Sequence, residues 1–456
     1  MTHTPPDISE RIWSPDSWRS FEAVQQPHYA DAAALTKVES VLSKSPPLVT
    51  PWEVDRLRLK IADAAAGNLF LLQGGDCAER FDECTPTFIA NRLKVLLQMS
   101  LVLIYGLHTP VVRVGRFAGQ YAKPRSTDME GRNGSSLPSY RGDIINGPGF
   151  TLEDRTPDPR RMLDAYHYST ATLNYVRALG EGGFADLHHP EYWDLGFVAN
   201  ESLRSEYQEI VDSISDAVRF MGAIAPNKIS EVERVAFFTS HEALLLPYEE
   251  ALTRTNDLSE RTYNLSTHFP WIGMRSASLE GAHVEYMRGI ANPISIKIGP
   301  STSGSELKSL LTHLDPDEIP GRITLTTRFG ASEIERHLPP LIDAVRSTGR
   351  TVLWCSDPMH GNTITLKNGV KTRRFDDILG EMETAFDVHA AHRSVLGGVH
   401  LELTGENVTE CTGGASGLQD EDLSRAYRSQ VDPRLNGEQG LEMAFSILRK
   451  RRRMLS

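Results

Sequence analysis

Four cysteines in 456 residues, Cys77, Cys84, Cys355 and Cys411, are too few to cross-link a disulfide scaffold, and no two form the CxxC knuckle of a structural zinc site. Each defaults to a buried free thiol. Positive charge is also in short supply. Lysine and arginine total 48 against 60 acidic residues, and the net charge of −12 argues against general nucleic-acid binding while leaving room for a local basic pocket. The longest apolar run, VLLQMSLVLIYGL, is shorter than a spanning helix requires. The opening MTHTPPDISERIW has neither the basic start nor the apolar stretch of a secretory signal. With 40% hydrophobic and 24% charged residues and no low-complexity tract, the expectation is a folded, cytoplasmic protein without nucleic-acid or membrane partners.

What is present is alternation. Short β-prone runs occur at 68–75, 109–116, 234–240, 268–274, 293–299, 322–328, 351–357 and 398–405, with helical patterns such as SELKSLLTHL and EIERHLPPLIDAVRSTG between several of them. Eight parallel strands with crossover helices predict an α/β fold, a (β/α)8 TIM barrel. Two segments are surplus to a minimal barrel. Residues 1–65 read as an N-terminal extension with two helical patterns, and the barrel proper as 66–456 with a helical insertion around 151–233, too long for an ordinary connection. The final LRKRRRML reads as the solvated basic end of a C-terminal helix, where cations favour the dipole.

Barrels carry their chemistry at the C-terminal ends of the strands. Reading those ends gives Cys77 in GGDCAERF after the first strand and His360 in DPMHGN after the seventh. Glu402 lies within the eighth, in HLELTGEN, and Asp432 beyond it, in VDPRLN. A thiol, an imidazole and two carboxylates on one rim suit a borderline divalent ion, Mn²⁺, Co²⁺, Fe²⁺ or Zn²⁺, better than calcium, which takes oxygen ligands. The same rim carries cations: Arg116, then Lys123 and Arg125 beside Ser126 in GQYAKPRS, and Arg275, Lys297 and Arg328. Lys297 sits inside the apolar ISIKIGP, where an unpaired cation is costly, so an anion or carboxylate is expected against it. Two cation clusters beside one metal suit a condensation of two small anionic substrates.

The motifs QQP (25–27), LLQGGDCAERF, GQYAKPRS, YRGDIINGP, SHEAL, WIG, DPMHGNT, TGENVTEC and DPRLN together closely resemble the type II, plant-like 3-deoxy-D-arabino-heptulosonate 7-phosphate (DAHP) synthases, over nearly the whole chain. That resemblance implies a (β/α)8 barrel with an N-terminal extension and extra helices. It implies a metal, Mn²⁺ first, held by Cys77, His360, Glu402 and Asp432. It further implies that Arg275, Lys297 and Arg328 hold the phosphate of phosphoenolpyruvate, that Arg116 and Lys123 lie near its carboxylate, and that Arg125 and Ser126 hold the phosphate of erythrose 4-phosphate. Lys123, Glu242 (in SHEAL) and His360 are the residues expected at the reacting atoms. A homo-oligomer and a chorismate mutase partner are implied as well.

One departure stands out. Where the family commonly reads WIGERTR or WIGDRTR, this chain has WIGMRSA, so Met274 replaces an acidic residue beside Arg275. The alternative this opens is an amino-DAHP synthase using imino-erythrose 4-phosphate. A phosphate-ester hydrolase on the same barrel would need no second anion cluster, and a degenerate regulatory member would not need the full set of ligands and cations.

Overall fold

The structure, a computed structural model, describes residues 12–132, 134–181, 198–224 and 236–455. Residues 1–11 of the expected extension, 182–197 and 225–233 of the expected insertion, and the first two residues of the expected third strand lie outside them.

Eight strands close a parallel barrel: β1 Phe70–Gly75, β2 Val111–Arg116, β3 Phe237–Glu242, β4 Phe269–Ile272, β5 Ile294–Ile298, β6 Ile323–Thr327, β7 Leu353–Ser356 and β8 Leu396–Glu402. Each pairs with its neighbours in sequence, and β8 closes on β1 with Gly75 opposite both Arg116 and Glu402. The ends of β8, β1 and β2 are therefore level. Six of the eight expected runs contain their strand; β8 begins two residues before its expected run, 398–405, and β3 runs two residues past its expected end, so Glu242 is the strand's last residue.

The two-residue period of a strand sorts each sequence into an outer and an inner row. Low in the barrel, Leu71, Val112, Val114, Phe238, Phe269, Leu353 and Cys355 pack with Leu57, Ile61 and Ala64. Those three belong to the helix Pro51–Ala65, which begins well: Thr50 and Glu53 cap it reciprocally and proline opens its first turn. This helix of the N-terminal extension plugs the barrel's lower end. Leu57 and Ile61 are fully buried, worth roughly 1.5–3 kcal/mol each relative to exposure. Further along the same inner rows come Gln73 bonded to Ser240, and at the upper ends Arg116, Glu242, Lys297 and Glu402.

The helix Pro86–Leu107 incorporates the longest apolar run but starts nine residues before it, so at 22 residues it is long and apolar enough to cross a membrane, contrary to the expectation from the run alone. Here 67% of its most apolar window is buried within the protein. It packs on the C-terminal helix Gly437–Leu455 so closely that a Cβ at Gly106 would meet Leu448 Cδ1 at 2.0 Å. The basic end of that last helix is ion-paired to neighbouring helices, through Arg449 with Glu206, Lys450 with Asp387 and Arg453 with Glu383.

Candidate active site

The rim is built outward from its deepest members. Cys77 Sγ and carboxylate oxygens of Glu402 and Asp432 all lie within 4.8 Å of one another. Among them sits the ammonium of Lys123, with Nζ 2.8 Å from Cys77 Sγ, 3.0 Å from Asp432 Oδ2 and 3.4 Å from Glu402 Oε1. His360 stands at the edge of this group. Its Nε2 is 3.0 Å from Glu402 Oε1, and its Nδ1 is held at 2.7 Å by Asp357 Oδ2. A thiol, two carboxylates and an imidazole oriented by a second carboxylate fit a borderline divalent ion. That a compact side-chain cation already lies between the three donors shows the space to be built for positive charge.

Burial decides the protonation tendencies unless charge overrides it. Desolvation pushes the Cys77 thiol up to about 12, with Glu402 adding to the rise and Lys123 opposing it. Desolvation would also raise Glu402, yet His360, Lys123, Arg373 and Arg116 hold it well below the usual carboxylate range. Asp432 is likewise held low against burial, chiefly by Lys123.

Above this group opens a cavity of about 440 Å³, a size suited to small ligands. Seven cations face it (Arg116, Lys123, Arg125, Arg275, Lys297, Arg328 and Lys371), against only Glu242, Asp432 and the imidazole of His360 among the other titratable side chains. A strongly positive cavity in a chain of net charge −12 selects multiply charged anions. Ser126 and Met274 line it too, while Cys77 and Glu402 lie beneath, reached through Lys123 and Arg116. The two cation clusters expected from the sequence meet: Arg275 Nη2 donates to Ser126 Oγ at 2.9 Å.

Each cation is positioned by a neighbour. Arg116 spans Glu402 Oε1 (3.1 Å) and His400 Nε2 (2.7 Å) and lies over the ring of Trp271. Because a guanidinium only donates, His400 Nε2 must accept, and burial together with Lys297 and Arg116 keeps that imidazole neutral. Lys297 has the carboxylate partner that its apolar setting demanded, Asp357. Arg328 Nη2 donates to the His360 carbonyl at 2.9 Å. Arg125 is set by its backbone: Gln25, in the QQP motif, accepts from Arg125 N at 2.9 Å and donates to Arg125 O at 3.1 Å. The N-terminal extension thus fixes the KPRS loop. Glu242 Oε1 is buried without a hydrogen-bond partner, and burial raises its pKa against the pull of Lys123, Lys297, Arg116 and Arg275.

All twelve residues singled out from the sequence gather here. Four more were not named as site residues. Asp357 had a signal, a carboxylate three positions before His360 in one turn. His400 had one too, two residues before Glu402 on the same row of β8. Lys371 (2.9 Å from Asp432 Oδ1) and Arg373 (2.8 Å from Glu402 Oε2) had none, because they arrive on a small hairpin, Thr363–Thr365 with Lys371–Arg373, whose path over the rim is a tertiary matter.

The description of the class-II DAHP synthetase family matches residues 13–448. A phospho-2-dehydro-3-deoxyheptonate aldolase of Neurospora crassa is 50% identical over 95% of this chain and 93% of its own length. Proteins of the same name from Streptomyces coelicolor and Mycolicibacterium smegmatis are 47% and 43% identical, over 95% and 97% of this chain and 96% of each relative. With the match running from Trp13 almost to the end of the last helix, the chain belongs to the class-II DAHP synthetase family.

Proposed function

We propose that the protein condenses phosphoenolpyruvate with erythrose 4-phosphate to give DAHP and phosphate, the first step of the shikimate pathway. Cys77, His360, Glu402 and Asp432 would hold a divalent ion, Mn²⁺ most readily, with Co²⁺, Fe²⁺ or Zn²⁺ as alternatives. The observation that carries this reading is one cavity in which two joined cation clusters adjoin a thiol, imidazole and carboxylate donor set.

Arg275, Lys297 and Arg328 take the phosphate of phosphoenolpyruvate, Arg116 and Lys123 its carboxylate, and Arg125 with Ser126 the phosphate of the aldehyde. Holding two mutually repelling anions at attack distance replaces a rare encounter with a preorganised one. A bound divalent ion supplies Lewis acidity toward the aldehyde oxygen. C3 of phosphoenolpyruvate then bonds to the carbonyl carbon, water adds at C2, and the phosphohemiketal loses phosphate. Glu242 Oε1, buried and free of hydrogen bonds, is placed to hold or release a proton in these steps. Lys123 is the other candidate.

Met274 lines the cavity beside Arg275, and this keeps the imine acceptor of an amino-DAHP synthase as the second reading. Mass spectrometry of the seven-carbon product, from metal-reconstituted enzyme given the aldehyde or the imine, separates the two. Turnover with the aldehyde supports the main reading, and turnover with the imine alone overturns it. The same reading carries a cytoplasmic location, a homo-oligomer and a chorismate mutase partner.

A further inference from the structure

Lys123 lines the cavity, and its ammonium is turned onto the donor cluster. Nζ is within 2.8, 3.0 and 3.4 Å of Cys77 Sγ, Asp432 Oδ2 and Glu402 Oε1, and these three donors lie within 4.8 Å of one another. An ion bonded to all three would compete with the ammonium for the same small volume, and two cations so close repel strongly where water is excluded.

We propose that Lys123 is a resident counter-ion: it holds the donor cluster together in the metal-free protein, and metal binding expels it into the adjoining cavity. The proposal rests on the reading that this donor set holds a divalent ion. Loading the metal is then the event that frees one more cation for an anionic substrate.

Three features of the surroundings allow the exchange. The side chain has somewhere to go, since Lys123 already lines the 440 Å³ cavity. Its backbone is anchored, with Lys123 N donating to Arg141 O at 2.8 Å, so rotation of the side chain suffices. The carboxylates do not depend on it alone. Glu402 keeps Arg373 and Arg116, and Asp432 keeps Lys371, so the donors stay in place when the ammonium leaves. A purely supporting lysine would instead remain where it is when the ion arrives.

The test is titration of the full chain with Co²⁺, followed by the thiolate-to-cobalt charge-transfer band that reports Cys77. Lys123→Met should bind Co²⁺ about tenfold more tightly than wild type, because nothing need be displaced. Lys371→Met removes a charge from the same Asp432 but from outside the three donors, and should tighten binding by no more than about threefold. Equal effects of the two substitutions, or no tightening in folded Lys123→Met, overturn the proposal. A second measurement needs no variant. Reductive methylation of wild-type protein, mapped by peptide mass spectrometry, should modify Lys123 several-fold faster after Co²⁺ loading, and an unchanged or slower rate overturns the proposal equally. Neither readout involves turnover. Failure to make DAHP with both results intact would sink the substrate assignment alone, whereas absence of any cobalt–thiolate band in wild type overturns the metal reading and this proposal together.

Discussion

Asp76 and Arg434, 358 positions apart, form a buried ion pair with Arg434 Nη1 2.6 Å from Asp76 Oδ1. The pair joins the loop after β1 to the segment beyond β8, and so fixes Cys77, next to Asp76, relative to Asp432, two residues before Arg434. The pair does not stand alone. Arg92 reaches Asp76, Glu79 and Glu83, while Arg434 also takes Glu410, which accepts from the backbone of Arg428 and Ser429. Glu79 in turn accepts three backbone N–H groups from Ala118, Gly119 and Gln120, at 2.9–3.1 Å, tying in the loop that leads to Lys123. One buried network therefore sets the spacing of the donors.

Removing Arg434 leaves Glu410 buried without that cation and Asp76 with Arg92 alone. Arg434→Met is expected to cost about 3–5 kcal/mol, read from the denaturant midpoint, and to weaken metal binding as well. A loss below about 1 kcal/mol, the range of an exposed pair, would show that water reaches Asp76 and Glu410.

Asp357 holds Lys297 with the same oxygen that holds His360 Nδ1. Asp357→Asn should therefore weaken metal binding by about 10- to 100-fold, as loss of an orienting carboxylate does, and raise the KM for phosphoenolpyruvate through Lys297. Isothermal titration with metal and steady-state kinetics check the two effects separately. A change in only one of them would show that Asp357 serves one neighbour.

Lys297 gives the site a pH dependence. Burial pushes its pKa down to about 8, Asp357 opposing and Arg116 reinforcing. The lysine is charged below that value and neutral above it, so affinity for a phosphate-bearing anion should be full near neutrality and decline as pH rises through 8. Calorimetric titration with phosphoenolpyruvate across that range is the measurement. Flat affinity through mildly alkaline pH would mean that Lys297 stays protonated.

Gln25 links the N-terminal extension to Arg125 by two backbone hydrogen bonds and accepts a third from Arg141 Nη1 at 3.1 Å. Gln25→Ala should raise the KM for erythrose 4-phosphate about tenfold, the worth of one or two such bonds, while leaving that for phosphoenolpyruvate nearly unchanged. Equal rises in both would point to a general loosening of the rim.

The barrel was legible because its strands are local, β-branched and bounded by turn residues, and the rim because chemistry collects at strand ends. Cys77, Glu402 and Asp432 could be picked out one at a time, each from the end of a strand or the loop after it. What holds them could not. Glu410 and Arg434 stand in the motifs TGENVTEC and DPRLN, and Arg92 in none, but no string says that these residues pair, since a buried ion network is a property of chain paths meeting in space. The same is true of the short hairpins Met129–Arg132 with Ser135–Pro138 and Thr363–Thr365 with Lys371–Arg373, whose strands are only three or four residues long.

The central claim is that one site joins two anions with the help of a metal. The most direct test follows phosphate release from phosphoenolpyruvate by metal-stripped and metal-reconstituted protein, with and without erythrose 4-phosphate. Release only when metal and both substrates are present, equimolar with the seven-carbon product, is the predicted result. Phosphate freed from phosphoenolpyruvate alone would contradict it and mark the protein as a hydrolase.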